Sequence, residues 1–187
     1  STLEIGRCRY GLMCNENGFL FDDGVVVRVD DNTFICHTTS GGSDRVVSWM
    51  EEWIQTEWWN LKVFILNITE QFCQVTIAGP NARHVLENVL ERPFSSQDLP
   101  FMGMLTATYL NTQVNIYRIS FSGELSYEVA IPNDNGLNFW KKCIEVGSQF
   151  GMQPYGTEAL HVMRAEKGFI MIGDETDGTV IPQDLNL

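Results

Sequence analysis

The sequence predicts an α+β fold, and three observations predict it. Runs with two-residue alternation come in pairs joined by turn residues, as hairpins do. Stretches of helical spacing fall between those pairs rather than after every strand. The 187 residues, 44% hydrophobic and 19% charged, suffice for a genuine core within one domain. No low-complexity run or flexible linker divides the chain. One domain over residues 1–187 is therefore expected, cut at both ends, because the polar tail 174–187 reaches no closing element.

In chain order, residues 7–15 alternate in character and end in a turn at Glu16-Asn17-Gly18. Residues 19–29 form a second strand, Asp30-Asp31-Asn32 a turn, and residues 33–39 a third strand. Ser40-Gly41-Gly42-Ser43 breaks the chain and offers Ser43 as an N-cap. In the helix beyond it, Val46, Trp49, Met50, Trp53 and Ile54 form one apolar stripe. Strands are expected at residues 62–67 and 73–77. Ala78-Gly79-Pro80 then opens a helix to about Leu90. Three more strands follow at 102–110, 113–120 and 126–131, with a hairpin turn at Asn111-Thr112. Helices at 134–146 and 157–167 complete the set, the last ending at Gly168.

Twelve basic residues against 24 acidic ones leave a formal charge of −12. Such a field repels phosphate backbones and anionic lipid, so no nucleic-acid or membrane partner is expected. The apolar runs are strand-sized, and no signal-peptide core opens the chain. Cys8, Cys14, Cys36, Cys73 and Cys143 are odd in number and widely spaced, with no CxxC pair. Reduced, core-filling cysteines in a cytoplasmic protein are expected, and neither a disulfide framework nor a metal site. His37, His84 and His161 lie too far apart for ligand spacing and read as surface or core residues. Dinucleotide and phosphate-loop fingerprints and the GxSxG elbow are absent.

Two stretches carry chemistry. In FLFDDGVVVRV, residues 19–29, adjacent aspartates must point to opposite faces of a strand. Asp23 shares its face with Phe19, Phe21, Val25, Val27 and Val29, whereas Asp22 falls among polar neighbours. Asp23 thus interrupts an apolar row, where an unpaired carboxylate costs several kcal/mol. Either it is a functional acid, or a bulge at Gly24 returns it to solvent, or turn amides hydrogen-bond it. In FSGELSYEVAIP, residues 121–132, Glu128 shares a face with Ser126 and Ala130, opposite Tyr127, Val129 and Ile131. Spacing alone makes that a solvated outer face. Flanked by small residues, the carboxylate could also accept two parallel hydrogen bonds from a planar amino-heterocycle.

The segment RYGLMCNENGFLFDDGVVVRV, with IAGPNARHVL, LPFMGM and SGELSYE, resembles the folate-binding domain of the aminomethyltransferase (glycine-cleavage T-protein) family over essentially the whole chain. The resemblance implies mixed or antiparallel sheets with packed helices. Within that family, TTSGGSDRVVSWMEEWIQTEW and PYGTEALHVMRAEKGFIMIGDETDGTVIPQDL are similar to the branch formed by the C-terminal part of sarcosine oxidase α subunits. That branch implies a tetrahydrofolate-binding domain that captures the methylene iminium of an oxidised N-methylamino acid as 5,10-methylenetetrahydrofolate. Flavin and NAD would then lie in other parts of a multi-subunit flavoenzyme, and the isolated fragment would be inactive. The alternatives are a free-standing aminomethyltransferase and a non-catalytic module of the same fold.

Carried over by motif, Asp23 matches the family's essential acid, Tyr10 a folate-contacting tyrosine and Glu128 the glutamate that grips the pterin. Phe121 stands where glycine-cleavage members have a tyrosine, keeping stacking without the hydroxyl. Thr39 replaces an asparagine of the pocket, Val27 a tyrosine of some members, and Leu160 an arginine, while Arg164 fits a different family position. Tyr10, Glu128, Phe121, Thr39 and Arg164 are therefore the expected substrate-binding residues, with Asp23 catalytic.

Overall fold

A computed structural model describes residues 2–187. Two antiparallel sheets face each other. The first is the meander β1 (Cys8–Cys14), β2 (Leu20–Arg28) and β3 (Phe34–Thr38). The second is built from β4 (Phe72–Ala78), β5 (Met104–Tyr109), β6 (Thr112–Tyr117) and β7 (Ser126–Pro132), in the order β4-β7-β6-β5. Residues 6–8 hydrogen-bond to residues 102–104, which ties the start of β1 to the second sheet.

Turn chemistry sets both hairpins of the first sheet. Asn15 Oδ1 accepts the amides of Asn17 and Phe19, each at 3.0 Å, and Gly18 takes φ +82°. Asp30 Oδ1 does the same for Asn32 and Thr33, each at 2.8 Å. Between β5 and β6 the two-residue turn is Leu110-Asn111, one position earlier than expected. Both residues have positive φ, 47° and 62°, as the strand twist requires of such a turn.

The second sheet has a clean division of faces. Val75, Ile77, Val114, Ile116, Tyr127, Val129 and Ile131 bury against α2 (Ala82–Leu90) and α3 (Asn133–Gly147), forming the main core with Leu86 and Phe139. The opposite face, carrying Gln74, Asn115, Tyr117 and Glu128, looks toward the first sheet across a smaller cluster of Cys8, Val27, Tyr117, Ile119 and Ala130. The last helix, α4 (Thr157–Lys167), ends at Gly168 with φ +81°, as its sequence indicates.

Three expectations are corrected. Residues 62–67 form no strand: among the described residues their backbone pairs with no neighbour, and Phe64 stands 98% exposed. Alternating apolar residues are not enough where no sheet edge is available to accept the hydrogen bonds. The helix α1 (Ser43–Thr56) follows a 3-10 turn at Ser40–Gly42, and Gly42 is its N-cap. Ser43 is already helical, and its hydroxyl donates back to the Ser40 carbonyl at 3.4 Å. All five cysteines are free; Cys8 and Cys143 fill core positions, but Cys36 is exposed at the edge strand β3.

Among the described residues, no helix is long and apolar enough to cross a membrane.

Candidate functional site

The inner faces of the two sheets enclose a cavity of about 1540 Å3, open to solvent. The apolar stripe of α1 forms one wall: of its expected residues only Val46 is buried, while Trp49, Met50, Trp53 and Ile54 line the cavity. Residues 61–69 and 168–172 border it on other sides.

Asp23 reaches this cavity from β2. Its strand neighbours place it in the row of Val25 and Val27, opposite Leu12, Tyr10 and Cys8 of β1. Gly24 stays in register with Gly11 and Thr38, so no bulge occurs there. The irregularity lies upstream, where Met13 pairs with Asp22 and Cys14 with Leu20, leaving Phe21 as the extra residue. Arg45 of α1 caps the freed Phe21 carbonyl and stacks on the Phe21 ring at 5.2 Å, while Trp49 meets that ring edge-on. The bulge thereby docks α1 against β2 beside Asp23.

The Tyr10 hydroxyl donates to Asp23 Oδ2 at 2.7 Å. Burial raises the Asp23 carboxyl above the usual carboxylate range; the Tyr10 hydrogen bond opposes that rise and the charge of Asp22 reinforces it. Burial likewise raises the Tyr10 phenol, and the Asp23 carboxyl adds to the effect. Removing the hydroxyl in Tyr10→Phe withdraws a bond that favours the ionised carboxylate. The Asp23 pKa is expected to rise further, as read by carbon NMR titration of its carboxyl; a fall would contradict this geometry.

Across the cavity, Glu128 lies in β7 between Thr76 and Tyr117, its neighbours on β4 and β6. Its face is not a solvated outer one. Burial raises its pKa, and the Gln74 amide, which donates to Oε2, counteracts that. Thr39 and Phe121 also line the cavity, so five of the six expected site residues converge there.

Arg164 does not. It is buried in α4, donating to Asp174 Oδ2 at 2.8 Å, Glu175 Oε1 at 2.6 Å and the Phe169 carbonyl. Its charge is neutralised by the tail, and its role is to fasten residues 169–175 to α4. Val27 is fully buried in the smaller core and offers no surface to a ligand.

Asp22 departs furthest from its expected surroundings. It is 0% exposed rather than among solvated polar groups. Oδ1 accepts the amides of Asp23 at 2.8 Å and Thr39 at 3.2 Å, and a side chain at Gly42 would collide with Oδ2. Sequence reasoning also missed His37, Gln74, Asn115 and Tyr117, which all line the cavity. The available signal was register: alternation along 33–39 puts His37 on one face with Ile35.

The two sheets thus hold carboxylates across one open cleft, each with a neighbouring side chain as its hydrogen-bond partner. The chain belongs to the GCVT N-terminal domain family, whose model matches residues 1–187. It is 46% identical over 189 residues to a sarcosine oxidase subunit alpha of Corynebacterium sp. (strain P-1), covering all of this chain and 20% of that protein. To the subunit of the same name from Rhizobium meliloti (strain 1021) it is 38% identical, covering 98% and 19%. An aminomethyltransferase of Halothermothrix orenii is 26% identical, with 100% and 50% covered. The chain thus spans about a fifth of the first relatives' length and half of the last. The crystal structure of glycine cleavage system aminomethyltransferase T from Bartonella henselae superposes with a TM-score of 0.75 at 22% identity, covering 91% of this chain and 43% of that one. That likeness establishes the fold.

Proposed function

We propose that this chain is the tetrahydrofolate-binding, one-carbon-transfer domain of a sarcosine oxidase α chain. The observation that carries the reading is the placement of Asp23 and Glu128 on facing sheets of one cleft, each aligned by its own hydrogen-bond partner. The 46% identity to a sarcosine oxidase α subunit, against 26% to an aminomethyltransferase, favours that branch over glycine cleavage.

The cleft fits the group it is proposed to hold. Glu128 offers a carboxylate in a partly desolvated wall, suited to the adjacent ring N–H and amino group of a pterin. Phe121 offers a ring face or edge to a planar heterocycle. Bound tetrahydrofolate supplies the amine nitrogens that take up a one-carbon unit. Asp23, held at Oδ2 by Tyr10, is placed to exchange a proton with such an amine as general acid or base. Thr39, at the end of β3, borders the cleft beside it. Flavin and NAD belong to other parts of the assembly in this reading. An exposed apolar segment, including Trp58, Trp59, Leu61, Val63, Phe64 and Leu66, supports burial against other subunits.

Calorimetry of the full chain with tetrahydrofolate tests the reading. Wild type is expected to bind, and Glu128→Gln to bind about 10- to 100-fold more weakly, the effect of losing a charge-assisted pair. No heat above background for wild type would remove the folate assignment. Equal affinity in the variant would remove Glu128 from the contact.

A further inference from the structure

His37 belongs to β3 and pairs with Val25, two residues along β2 from Asp23. That register puts its side chain on the inner face of the first sheet, in the cavity wall. Its ring stands edge-on to Tyr117 of the second sheet, with centroids 4.6 Å apart and planes at 76°. The imidazole is thus clamped where the two sheets approach. Its Nε2 is buried and has no hydrogen-bond partner among the described residues.

An unsatisfied buried nitrogen carries an uncompensated desolvation penalty. Native interiors rarely tolerate one, so it calls for an explanation in this wall. Packing alone does not supply it, because a phenylalanine would fill the same space against Tyr117. Burial holds the imidazole below its ordinary pKa, with the Gln74 side chain pulling the other way, so the ring is neutral near pH 7. A neutral imidazole can present either an N–H or a lone pair at a ring edge. Gln74 itself donates to Glu128, on the facing sheet from His37.

We propose that His37 is a ligand-contacting residue of this cavity, its Nε2 completing its hydrogen bonding with the heterocycle that Glu128 grips. The proposal rests on the folate reading and deepens it: His37, Gln74 and Glu128 form one recognition edge. The ligand class is a planar heterocycle with donors and acceptors along the same edge, as a reduced pterin has. Gln74 orients Glu128 and is a positioning residue.

Two variants and one spectrum test it in the full chain. His37→Phe keeps an aromatic ring against Tyr117 and removes both nitrogens, while His37→Gln restores a polar group near Nε2. Calorimetry with 5-formyltetrahydrofolate is expected to show about 10-fold weaker binding for the phenylalanine variant. The glutamine variant is expected within about threefold of wild type. Both should melt close to wild type. In unmodified protein, nitrogen NMR of the His37 ring should shift as 5-formyltetrahydrofolate is added. That readout needs no variant to fold, and packing alone would not produce a ring-nitrogen bond to ligand.

Wild-type affinity in His37→Phe, or an unmoved ring resonance while ligand binds, would overturn the proposal and leave the folate reading intact. Failure of wild type to bind would overturn the folate reading and this assignment together.

Discussion

Replacing Asp23 by asparagine is expected to leave folate affinity within about threefold of wild type and to cut methylene transfer by about 10²–10⁴-fold. The amide has the carboxylate's shape, and its oxygen can still accept the Tyr10 hydroxyl that now meets Oδ2 at 2.7 Å. It cannot exchange a proton, so the loss falls on kcat rather than on binding. The pH profile provides the second readout. Burial raises the Asp23 pKa, Tyr10 partly offsets this, and the Asp22 charge adds to it. The carboxylate therefore takes up its proton at higher pH than an exposed aspartate, whose pKa is about 3.9. The acid limb of kcat is expected above that value in wild type and absent in the variant. Stability runs in the opposite direction. A buried acid whose folded pKa is raised contributes most when protonated, and that contribution is lost as pH rises through the folded pKa. Acidification thus relieves the fold locally while it silences the site. Formation of 5,10-methylenetetrahydrofolate from sarcosine by the full chain and its assembly, measured across pH, checks both statements. Unchanged kcat, or an acid limb that survives the substitution, would contradict them.

Local physics made most elements legible. Glu16-Asn17-Gly18 and Asp30-Asp31-Asn32 announce turns by residue type, and in the fold the Asn15 and Asp30 side chains cap the backbone there. Alternation separates Glu128 from Tyr127, Val129 and Ile131, and the sheet divides them the same way. Alternation could not reveal what lies beyond the strand. The face bearing Glu128 is covered by a second sheet far off in sequence, so a row that reads as solvated becomes a cavity wall. The same limit hid Asp22. Its polar row predicts solvent, yet the Ser40–Gly42 turn folds over it and shuts water out. Residues 62–67 show the converse failure, having strand composition but no partner. Arg164 shows another: its motif position is recognisable, but Asp174 and Glu175, which claim its charge, are fixed by tertiary packing. Pairwise long-range geometry, rather than residue type, decided these cases.

Asp22 yields the second large effect. Asp22→Ala is expected to destabilise the fold by about 2–4 kcal/mol, because the amides of Asp23 and Thr39 both lose their buried acceptor. For a domain of this size that is a fall of roughly 5–15 °C in Tm. The cost is also positional. One carboxylate oxygen holds the backbone of the proposed acid and the end of β3 together, so its loss frees Asp23 and Thr39 relative to each other. Asp22→Asn separates the two roles of the side chain. It keeps an oxygen for both amides, while Oδ2 has no partner to lose. Its stability is expected within about 1 kcal/mol of wild type. Because the Asp22 charge raises the Asp23 pKa, removing that charge should lower it and move the acid limb of methylene transfer to lower pH. Thermal denaturation of both variants and a pH–rate profile of the asparagine variant measure these effects. If the alanine variant melts within about 2 °C of wild type, less than 1 kcal/mol of stabilisation, then Asp22 is not the clamp between β2 and the turn that covers it.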